Sequence, residues 1–283
     1  MEEKIIKGSE IAKQIKLDIK HEVEKLEIKP CLAVVIVGDN EASKIYVKNK
    51  EKACQSCGIE SIAVRLNTDI TEEELENEIQ KLNNDKNVHG ILVQLPLPKH
   101  LDENKIINLI NPDKDVDCFH PINIGKMFAG FEKNMVLPCT PKGCMILIKT
   151  VCKDLTGKKA VVIGRSNIVG KPVAQLLLRE NCTVTMVHSK TKNIEEETKT
   201  ADIVVVAVGK SKFLKANMIK DNAVIIDVGI NRLDDGAICG DVDFDDVINK
   251  CGYITPVPKG VGPMTIACLL QNLMVLYYKQ LNK

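Results

Sequence analysis

The sequence predicts an α/β protein made of two open-sheet domains. Short apolar runs alternate with helical stretches along the chain, and the segment Pro138–Gly143 separates two series of such runs. Continuous apolar runs of this kind are typical of parallel strands that are buried on both faces. At 283 residues the chain is also long enough for two domains of ordinary size.

The first series of runs indicates a small parallel sheet within residues 1–120. Asn40 is a suitable N-cap for the helix after the first strand, and Thr71 with Glu74 forms a capping box for the helix after the second. In an open sheet of this kind, ligands bind at the carboxyl ends of the strands. The predicted strands are Cys31–Gly38, Ser61–Leu66 and Val88–Gln94.

The second series indicates a doubly wound nucleotide-binding layout within residues 139–283. We predict a connector over residues 121–138. We also predict a C-terminal helix, over about residues 263–281, that returns to the first domain. The predicted strands of the second domain are Lys159–Gly164, Thr183–His188, Asp202–Gly209 and Ala223–Gly229.

Composition and charge exclude several classes of protein. Hydrophobic residues make up 45% of the chain and charged residues 27%, as in a globular protein. The net charge of +1 provides no general field for nucleic acid or an anionic membrane. No secretory signal is visible, and the longest apolar stretch, Ile266–Tyr278, is broken by two polar residues and looks too short for a membrane span. We therefore expect a cytoplasmic protein with neither nucleic acid nor membrane as a partner.

The eleven cysteines do not follow the spacing of a metal site. The C-x-x-C pair Cys54 and Cys57 falls inside a predicted helix and lacks a second pair or histidines to complete four ligands. We expect these thiols to be small buried side chains in a reducing compartment, and we expect no bound metal.

A glycine-rich turn joins the first strand of the second domain to the following helix. Gly164, Ser166 and Gly170 give the pattern G-x-S-x-x-x-G, which differs in spacing from the usual G-x-G-x-x-G. Small residues there allow the backbone to approach a pyrophosphate, and the helix amino terminus provides N–H donors. The pattern predicts a Rossmann-like dinucleotide site, although a turn without a ligand has the same composition.

The end of the next strand indicates which dinucleotide is bound. An NAD-binding domain places an acidic residue there to accept from the ribose 2′-hydroxyl, whereas this chain has His188, Ser189 and Lys190. A hydroxyl, an ammonium and the nearby Arg165 would suit a 2′-phosphate. The predicted cofactor is therefore NADP.

Polar residues of the first domain suggest a second site. Ser43, Tyr46, Lys50 and Cys54 follow 3-4-4 spacing and share one helix face, a pattern that also fits an ordinary amphipathic helix. Gln94 ends an otherwise apolar strand. Either Asp115 or Asp117, in the loop that follows, could accept from a heterocycle, unless this loop is merely solvated. Their convergence on one sheet edge favours a binding site.

Seven sequence motifs, in order along the chain, resemble those of the methylenetetrahydrofolate dehydrogenase/cyclohydrolase family. They cover nearly the whole chain and are more specific than a glycine motif alone. The motifs are S-K-I-Y-V-K-N-K, G-I-L-V-Q-L-P-L-P, P-D-K-D-V-D, P-C-T-P-K-G, V-I-G-R-S-N-I-V-G-K-P, H-S-K-T and I-T-P-V-P-K-G-V-G-P-M-T.

The resemblance implies a role for particular residues. In the first domain, Tyr46 would stack on the pterin, Lys50 would act as the acid–base or electrostatic residue, Gln94 would assist it, and Asp117 would hold the pterin edge. It also implies a homodimer and a tetrahydrofolate derivative as substrate. Further substrate contacts are implied for Leu95, Pro96 and Pro263, and cofactor contacts for Gly164, Arg165, Ser166, Ser189 and Ile230.

The chain departs from the family pattern at two positions. Cys118 follows D-V-D where the family usually has glycine, and Lys259 replaces the first glycine of P-G-G-V-G-P. Both positions are expected near the ligand-binding cleft, so either departure could change the balance of the two activities.

The implied function is the oxidation of 5,10-methylenetetrahydrofolate with NADP, followed by hydrolysis to 10-formyltetrahydrofolate, in one-carbon metabolism. One alternative is another two-domain NADP oxidoreductase that acts on a small hydroxy or amino acid, which would need different polar residues in its cleft. The other is a non-catalytic nucleotide sensor, which would have no need of Lys50, Gln94 and Asp117.

Overall fold

The computed structural model describes residues 2–130, 135–233 and 235–281. By internal packing the chain forms two units, each named here after its sheet. The five-stranded unit comprises Met1–Ala12 with Pro138–Cys268, and the three-stranded unit comprises Lys13–Leu137 with Leu269–Lys283. The domain boundaries stated from the sequence stay a prediction; by packing, the first twelve residues group with the second half of the chain.

Parallel strands form both main sheets, and a two-stranded antiparallel hairpin is also present in the described part of the chain. The strands are β1 Cys31–Val37, β2 Glu60–Leu66, β3 Gly90–Val93, β4 Lys159–Ile163, β5 Thr183–Val187, β6 Ile203–Val206, β7 Val224–Asp227, β8 Asn231–Arg232, β9 Ile238–Cys239 and β10 Tyr253–Ile254. The helices are α1 Gly8–Glu24, α2 Glu41–Ser56, α3 Glu72–Asn84, α4 Glu103–Leu109, α5 Pro121–Ala129, α6 Cys139–Val151, α7 Gly170–Arg179, α8 Ile194–Thr198, α9 Phe244–Val247 and α10 Val261–Leu281.

The three-stranded unit has the strand order β2-β1-β3, and every residue of the central strand β1 is buried. Side chains from β1, β3, α3 and α4 form its core. Both predicted caps are confirmed: the Asn40 side chain accepts from Ser43 N–H, and Thr71 and Glu74 bond each other reciprocally. Local capping chemistry therefore sets where α2 and α3 begin.

The five-stranded unit has the strand order β10-β7-β6-β4-β5, with all its strands parallel. From β4 the chain proceeds first to β5 on one side and then to β6 on the other, so a topological switch point lies between β4 and β6. The predicted α/β class, with a Rossmann-like second domain, is confirmed. Short strand β10, hairpin β8–β9 and helix α5 were not foreseen.

Several predicted strands were too long at their carboxyl ends. The run Asp202–Gly209 is a strand only over Ile203–Val206. Beyond it, the N–H groups of Val208 and Gly209 donate to the Asp241 side chain, at 2.7 and 2.9 Å, and not to a neighbouring strand. A side-chain acceptor 33 residues away in sequence thus ends the strand, and periodicity gives no sign of it.

The C-terminal helix α10 packs into the three-stranded unit through most of its length, as predicted. The Tyr277 hydroxyl donates to the Ile28 carbonyl at 2.7 Å, and Gln280 donates to the carbonyl of His89. The buried Asn272 donates to the carbonyls of Val116 and Leu137, so it is a core anchor of this helix.

The prediction that this apolar stretch is too short for a membrane span was wrong, because the helix continues beyond it. Within the described chain, α10 is the one helix long and apolar enough to cross a membrane. However, 61% of its most apolar window is buried inside the protein, as in the core helix of a folded domain.

All described cysteines are free thiols, and nine of the eleven are buried. Burial raises the pKa of Cys54 to about 12 and the pKa of Cys31 to about 11, so these thiols are neutral at pH 7. In the described residues no group of three or more His, Cys, Asp or Glu side chains is placed to hold a metal ion.

His89 links β1, the chain before β3, and α10. Its Nδ1 accepts from the Cys31 N–H at 3.1 Å, and its ring lies edge-on to that of Tyr277, with centroids 4.9 Å apart. An accepting Nδ1 requires the neutral ring. Burial, together with the nearby Lys114 ammonium, lowers the pKa of His89 below its usual 6.5, and Glu60 and Asp85 oppose this shift only in part.

We predict that His89 makes stability depend on pH. Because its folded-state pKa lies below that of the unfolded chain, protonation favours unfolding; stability is full above about pH 6.5 and falls as the pH decreases towards the folded-state pKa. The slope for one proton is at most about 1.4 kcal/mol per pH unit. Between pH 7.5 and 5, the free energy of unfolding measured in urea should depend more steeply on pH in the parent protein than in His89→Gln. The exposed His21→Gln is the control, and a parallel pH dependence for His89→Gln would refute the assignment.

Candidate active site and cofactor-binding site

Helix α2 carries the first group of predicted site residues. It begins just after the carboxyl end of β1 and buries Ser43, Val47 and Cys54, which places the half-buried Lys50 on the same stripe. Tyr46 lies at the edge of that stripe with 44% of its surface exposed. The helix thus presents an ammonium partly withdrawn from water and an accessible aromatic ring one turn before it.

Lys50 meets Gln94, the residue that directly follows β3. The Lys50 ammonium donates to Gln94 Oε1 at 3.0 Å, and Gln94 Nε2 donates to the Leu95 carbonyl at 2.7 Å. The amide is therefore held with its oxygen towards the ammonium. Within the described chain no carboxylate forms an ion pair with Lys50, so its charge is not neutralised by a partner. Leu95 is half-buried, and the exposed Pro96 follows it through a cis peptide bond.

The two aspartates of the following loop have different environments. Asp115 is buried and accepts from the N–H groups of Phe119 and His120 and from the Asn123 amide, all within 3.2 Å. Burial raises the pKa of Asp115, and these donors oppose the rise. Asp115 is thus a structural acceptor that organises the loop.

Asp117 is half-buried and lies two residues beyond Asp115 in the same loop. A parallel bridge joins Asp115 to Ile91 in β3, which ties this loop to the strand that ends just before Gln94. The fold therefore brings Lys50, Gln94 and Asp117 to the carboxyl edge of the same sheet. Of the two aspartates, Asp115 is committed to the loop, and the role of Asp117 in binding a ligand stays a prediction.

In the five-stranded unit, the glycine turn follows β4 as predicted. Gly164 has φ +126°, and a Cβ there would lie 2.3 Å from the Ala207 carbonyl oxygen after β6. A Cβ on Gly170 would lie 2.4 Å from the Gly164 carbonyl oxygen. Only glycine fits either position, and the two bring the start of α7 close to the end of β4.

The other predicted cofactor residues surround this turn. Ser166 Oγ accepts from the N–H groups of Val169 and Gly170, both at 3.2 Å, and so satisfies the N–H of the first residue of α7. Arg165 is exposed beside it. Ser189 and Ile230, which follow β5 and β7, are also exposed. All four residues lie on loops at the carboxyl edge of the five-stranded sheet.

Pro263 is half-buried in the first turn of α10. The first part of α10, up to Cys268, packs in the five-stranded unit. It is therefore not grouped with the other predicted substrate-binding residues, which lie in the three-stranded unit.

Sequence reasoning missed two buried carboxylates near the cofactor loops, Asp227 and Asp241. Asp227 ends β7 and accepts from the N–H groups of Gly229, Asp241 and Val242, each at 2.9 Å. Burial, with a smaller effect from the Asp241 carboxylate, raises the pKa of Asp227 to about 6. The sequence did contain one signal: an acidic residue at the end of the apolar strand Val224–Asp227.

The residues present fit a dinucleotide phosphate. The turn at Gly164 leaves no room for side chains between two strand ends, and an exposed guanidinium from Arg165 stands next to it. The residues directly after β5 are not acidic, and two of them, Ser189 and Lys190, are exposed. These residues would hold the pyrophosphate at the turn and a 2′-phosphate beside it.

Comparison with known proteins agrees with this geometry. Residues 6–117 match the family model of the tetrahydrofolate dehydrogenase/cyclohydrolase catalytic domain, and residues 138–281 match that of its NAD(P)-binding domain. A bifunctional protein FolD of Bacillus cereus is 57% identical over 271 residues, which are 95% of this chain and 94% of that protein. This chain belongs to the tetrahydrofolate dehydrogenase/cyclohydrolase family.

Solved structures of family members have the same fold. The bifunctional FolD enzyme of Campylobacter jejuni superposes with a TM-score of 0.95 at 49% identity, covering 97% of this chain and 99% of its own. The Trypanosoma brucei methylenetetrahydrofolate dehydrogenase-cyclohydrolase, solved with NADP and an inhibitor, gives a TM-score of 0.94 at 37% identity. The match covers 99% of this chain and 98% of the T. brucei chain. The predicted family is confirmed, which decides against an oxidoreductase for small hydroxy or amino acids.

The two departures from the family pattern share one backbone property. Cys118 has φ +58° and Lys259 has φ +81°, values that favour glycine. Cys118 is buried and its thiol donates to the Val136 carbonyl at 3.3 Å, whereas Lys259 is exposed and its carbonyl accepts from the Ser9 N–H. Both turns thus have a left-handed backbone without the glycine that suits it.

We predict that Lys259→Gly raises stability by up to about 1 kcal/mol, because glycine adopts a positive φ without strain. If the ammonium also contacts a cofactor phosphate or the glutamate tail of the folate, the variant should bind that ligand less tightly. Urea unfolding and ligand titration measure the two effects. Cys118→Gly is the comparison: it removes a buried side chain and should not be stabilising. A Lys259→Gly variant unchanged in both measurements would show that the substitution is neutral.

Proposed function

We propose that this enzyme uses the Lys50–Gln94 pair for two consecutive reactions. The first is the NADP-dependent oxidation of 5,10-methylenetetrahydrofolate to 5,10-methenyltetrahydrofolate, and the second is hydrolysis of that product to 10-formyltetrahydrofolate. Membership of the family supports both activities. The single observation that carries the residue assignment is the 3.0 Å hydrogen bond from the Lys50 ammonium to Gln94.

In the oxidation, this chain mainly orients the substrate. NADP, when bound, accepts a hydride from the methylene bridge. An adjacent nitrogen lone pair stabilises the cationic product, so positioning matters more than a protein base. The exposed ring of Tyr46 provides a surface on which a pterin can stack, and Asp117 provides an acceptor for the pterin N–H groups. Leu95 and Pro96 would complete the floor of this site.

Hydrolysis requires more of the protein. Water adds to the methenyl carbon, a tetrahedral carbinolamine forms, and a proton must reach the nitrogen that departs when the ring opens. An ammonium has three N–H donors and Gln94 takes one, so Lys50 retains donors for the substrate. Gln94 also fixes the direction of the ammonium, which is how a preorganised charge lowers the barrier. A nucleotide sensor without catalysis would not explain an ammonium held against this strand end.

The cofactor preference follows from the loops of the five-stranded unit. Arg165 and Ser189 offer a charged and a neutral donor to a 2′-phosphate, and the end of β5 lacks the acidic residue that would bind a free 2′-hydroxyl. NADP is also the cofactor in the related T. brucei structure. We further propose that the enzyme is a cytoplasmic homodimer with no nucleic-acid or membrane partner, which sedimentation and fractionation would test.

We predict that Lys50→Met lowers the cyclohydrolase turnover by at least about a hundredfold, roughly 2.7 kcal/mol, because general acid–base help is typically worth a hundred- to ten-thousandfold. Methionine keeps much of the apolar stem, so α2 should remain folded. Dehydrogenase activity should fall less, unless Lys50 also positions the methylene bridge. The measurement is hydrolysis of methenyltetrahydrofolate, corrected for the spontaneous rate.

Lys48→Met is the matched control, since Lys48 lies on the exposed side of the same helix. It should leave hydrolysis within about twofold of the parent enzyme, well short of the effect expected from acid–base catalysis. Near-parental hydrolysis by folded Lys50→Met would remove Lys50 from the mechanism.

We also predict a preference for NADP over NAD of at least about tenfold in kcat/KM, which corresponds to about 1.4 kcal/mol. Arg165→Ala should reduce this preference mainly by weakening NADP, because the 2′-phosphate loses a charge-assisted partner. Arg179→Ala, at the other end of α7, is the control of equal charge. Equal kcat/KM for the two cofactors in the parent enzyme would contradict the assignment.

A further inference from the structure

The loops after β4 and β6 face each other at the switch point of the five-stranded sheet. The two strands are neighbours in the sheet, and the close approach of Gly164 to the Ala207 carbonyl joins their carboxyl ends. In open sheets the dinucleotide binds in the crevice at such a point. The loop after β6, Val208–Lys210, therefore forms one wall of this crevice, opposite Arg165 and Ser166.

A single buried carboxylate holds that wall. Asp241 is 0% exposed, and its Oδ2 accepts from the N–H groups of Val208 and Gly209 at 2.7 and 2.9 Å. Its Oδ1 accepts from the Lys210 N–H at 2.9 Å. Three consecutive backbone donors thus point into the protein, towards Asp241, and are not available to a phosphate in the crevice.

The same carboxylate reaches the loop after β7. Asp241 Oδ1 also accepts from the Asn231 amide at 2.9 Å, and Asn231 directly follows Ile230, a predicted cofactor contact. Asp241 is itself fixed, because its N–H donates to the buried Asp227 at the end of β7. One carboxylate that accepts from four donors therefore connects two of the loops that border the crevice.

We propose that Asp241 is a positioning residue for NADP, which holds the loop Val208–Lys210 as one wall of the crevice and, through Asn231, orients the turn that carries Ile230. All four hydrogen bonds come from donors of the chain itself, so the protein's own side chain holds this wall in place. The loop then contributes shape and carbonyl groups but no N–H donor to the phosphates, which leaves that role to the turn after β4. This inference rests on the proposed use of NADP.

Asp241→Asn tests the proposal. An amide has one acceptor oxygen in place of two, and its NH₂ group cannot accept from the backbone N–H groups that now donate to Asp241. We expect the Kd for NADPH, measured by its fluorescence, to rise at least tenfold. In the protein without cofactor, the amides of Val208–Lys210 should exchange hydrogen faster. In turnover, the KM for NADP should rise far more than kcat falls.

Asp202→Asn is the matched control. Asp202 precedes β6, at the opposite edge of the sheet, where it accepts from the Lys159 N–H at 2.9 Å and pairs with Lys220. The Asp202→Asn variant should be less stable than the parent protein, but its Kd for NADPH should differ from the parent value by less than twofold. An Asp241→Asn variant that binds NADPH as the parent does, or an equal loss of affinity in Asp202→Asn, would overturn the proposal.

Two further results, a variant that does not fold and a parent protein that does not bind NADPH, have different meanings. If Asp241→Asn does not fold, Asn231→Ala removes one of the four bonds and should still raise the Kd at least threefold; an unchanged Kd there overturns the proposal. A parent protein that fails to bind NADPH at all contradicts the proposed function instead.

Discussion

Parallel strands end together at one edge of a sheet, where the backbone groups of the following loops have no further strand to bind. In both units this edge is where the chain must satisfy buried N–H groups and also leave room for a ligand. Buried carboxylates provide the solution. Asp115 organises the loop beside β3, and Asp227 and Asp241 organise the loops after β6 and β7. Because unsatisfied buried donors are costly, these acceptors decide where the strands end and which groups remain for chemistry.

The side chains left at the two edges differ from these acceptors in burial and charge. Lys50 is half-buried, and the partner that the described residues give it is the Gln94 amide, whereas Tyr46 and Arg165 are exposed. All three thus remain accessible to a ligand. The buried acids, in contrast, are enclosed by backbone donors, and burial raises the pKa of both Asp115 and Asp227. Perturbed carboxylates are often taken as catalytic candidates, but here they hold the framework. The groups proposed for acid–base chemistry and 2′-phosphate binding are two cations, an amide and a hydroxyl: Lys50, Arg165, Gln94 and Ser189.

The two left-handed turns show how far this framework tolerates change. Cys118 and Lys259 occupy positions where the family pattern has glycine, and both have positive φ values. Each is held by bonds from elsewhere in its unit: Cys118 through its thiol to Val136, and Lys259 through its carbonyl to Ser9. The surrounding structure thus imposes the conformation, and the residue in place of glycine accepts the strain.

The sequence by itself determined the features that depend on local patterns. Apolar runs and caps such as Asn40 and Thr71 predicted the α/β class and the starts of helices, since both are encoded within a few residues. The glycine turn and the absence of an acidic residue after the next strand predicted NADP. Ordered motifs predicted the family and placed Lys50 and Gln94 among the site residues.

Only the tertiary structure decided which of these residues meet. Lys50 and Gln94 are 44 residues apart, and their bond exists because β1 and β3 are neighbours in the sheet. Asp115 is a structural acceptor because the fold places the N–H groups of Phe119 and His120 and the Asn123 amide around it. Beyond the end of β6 at Val206, the N–H of Val208 donates to the Asp241 side chain, which lies 33 residues later in the sequence. A hydrogen bond from a side chain to a distant part of the backbone produces no periodicity, cap or motif in the sequence. Such bonds can therefore be identified only in the folded structure.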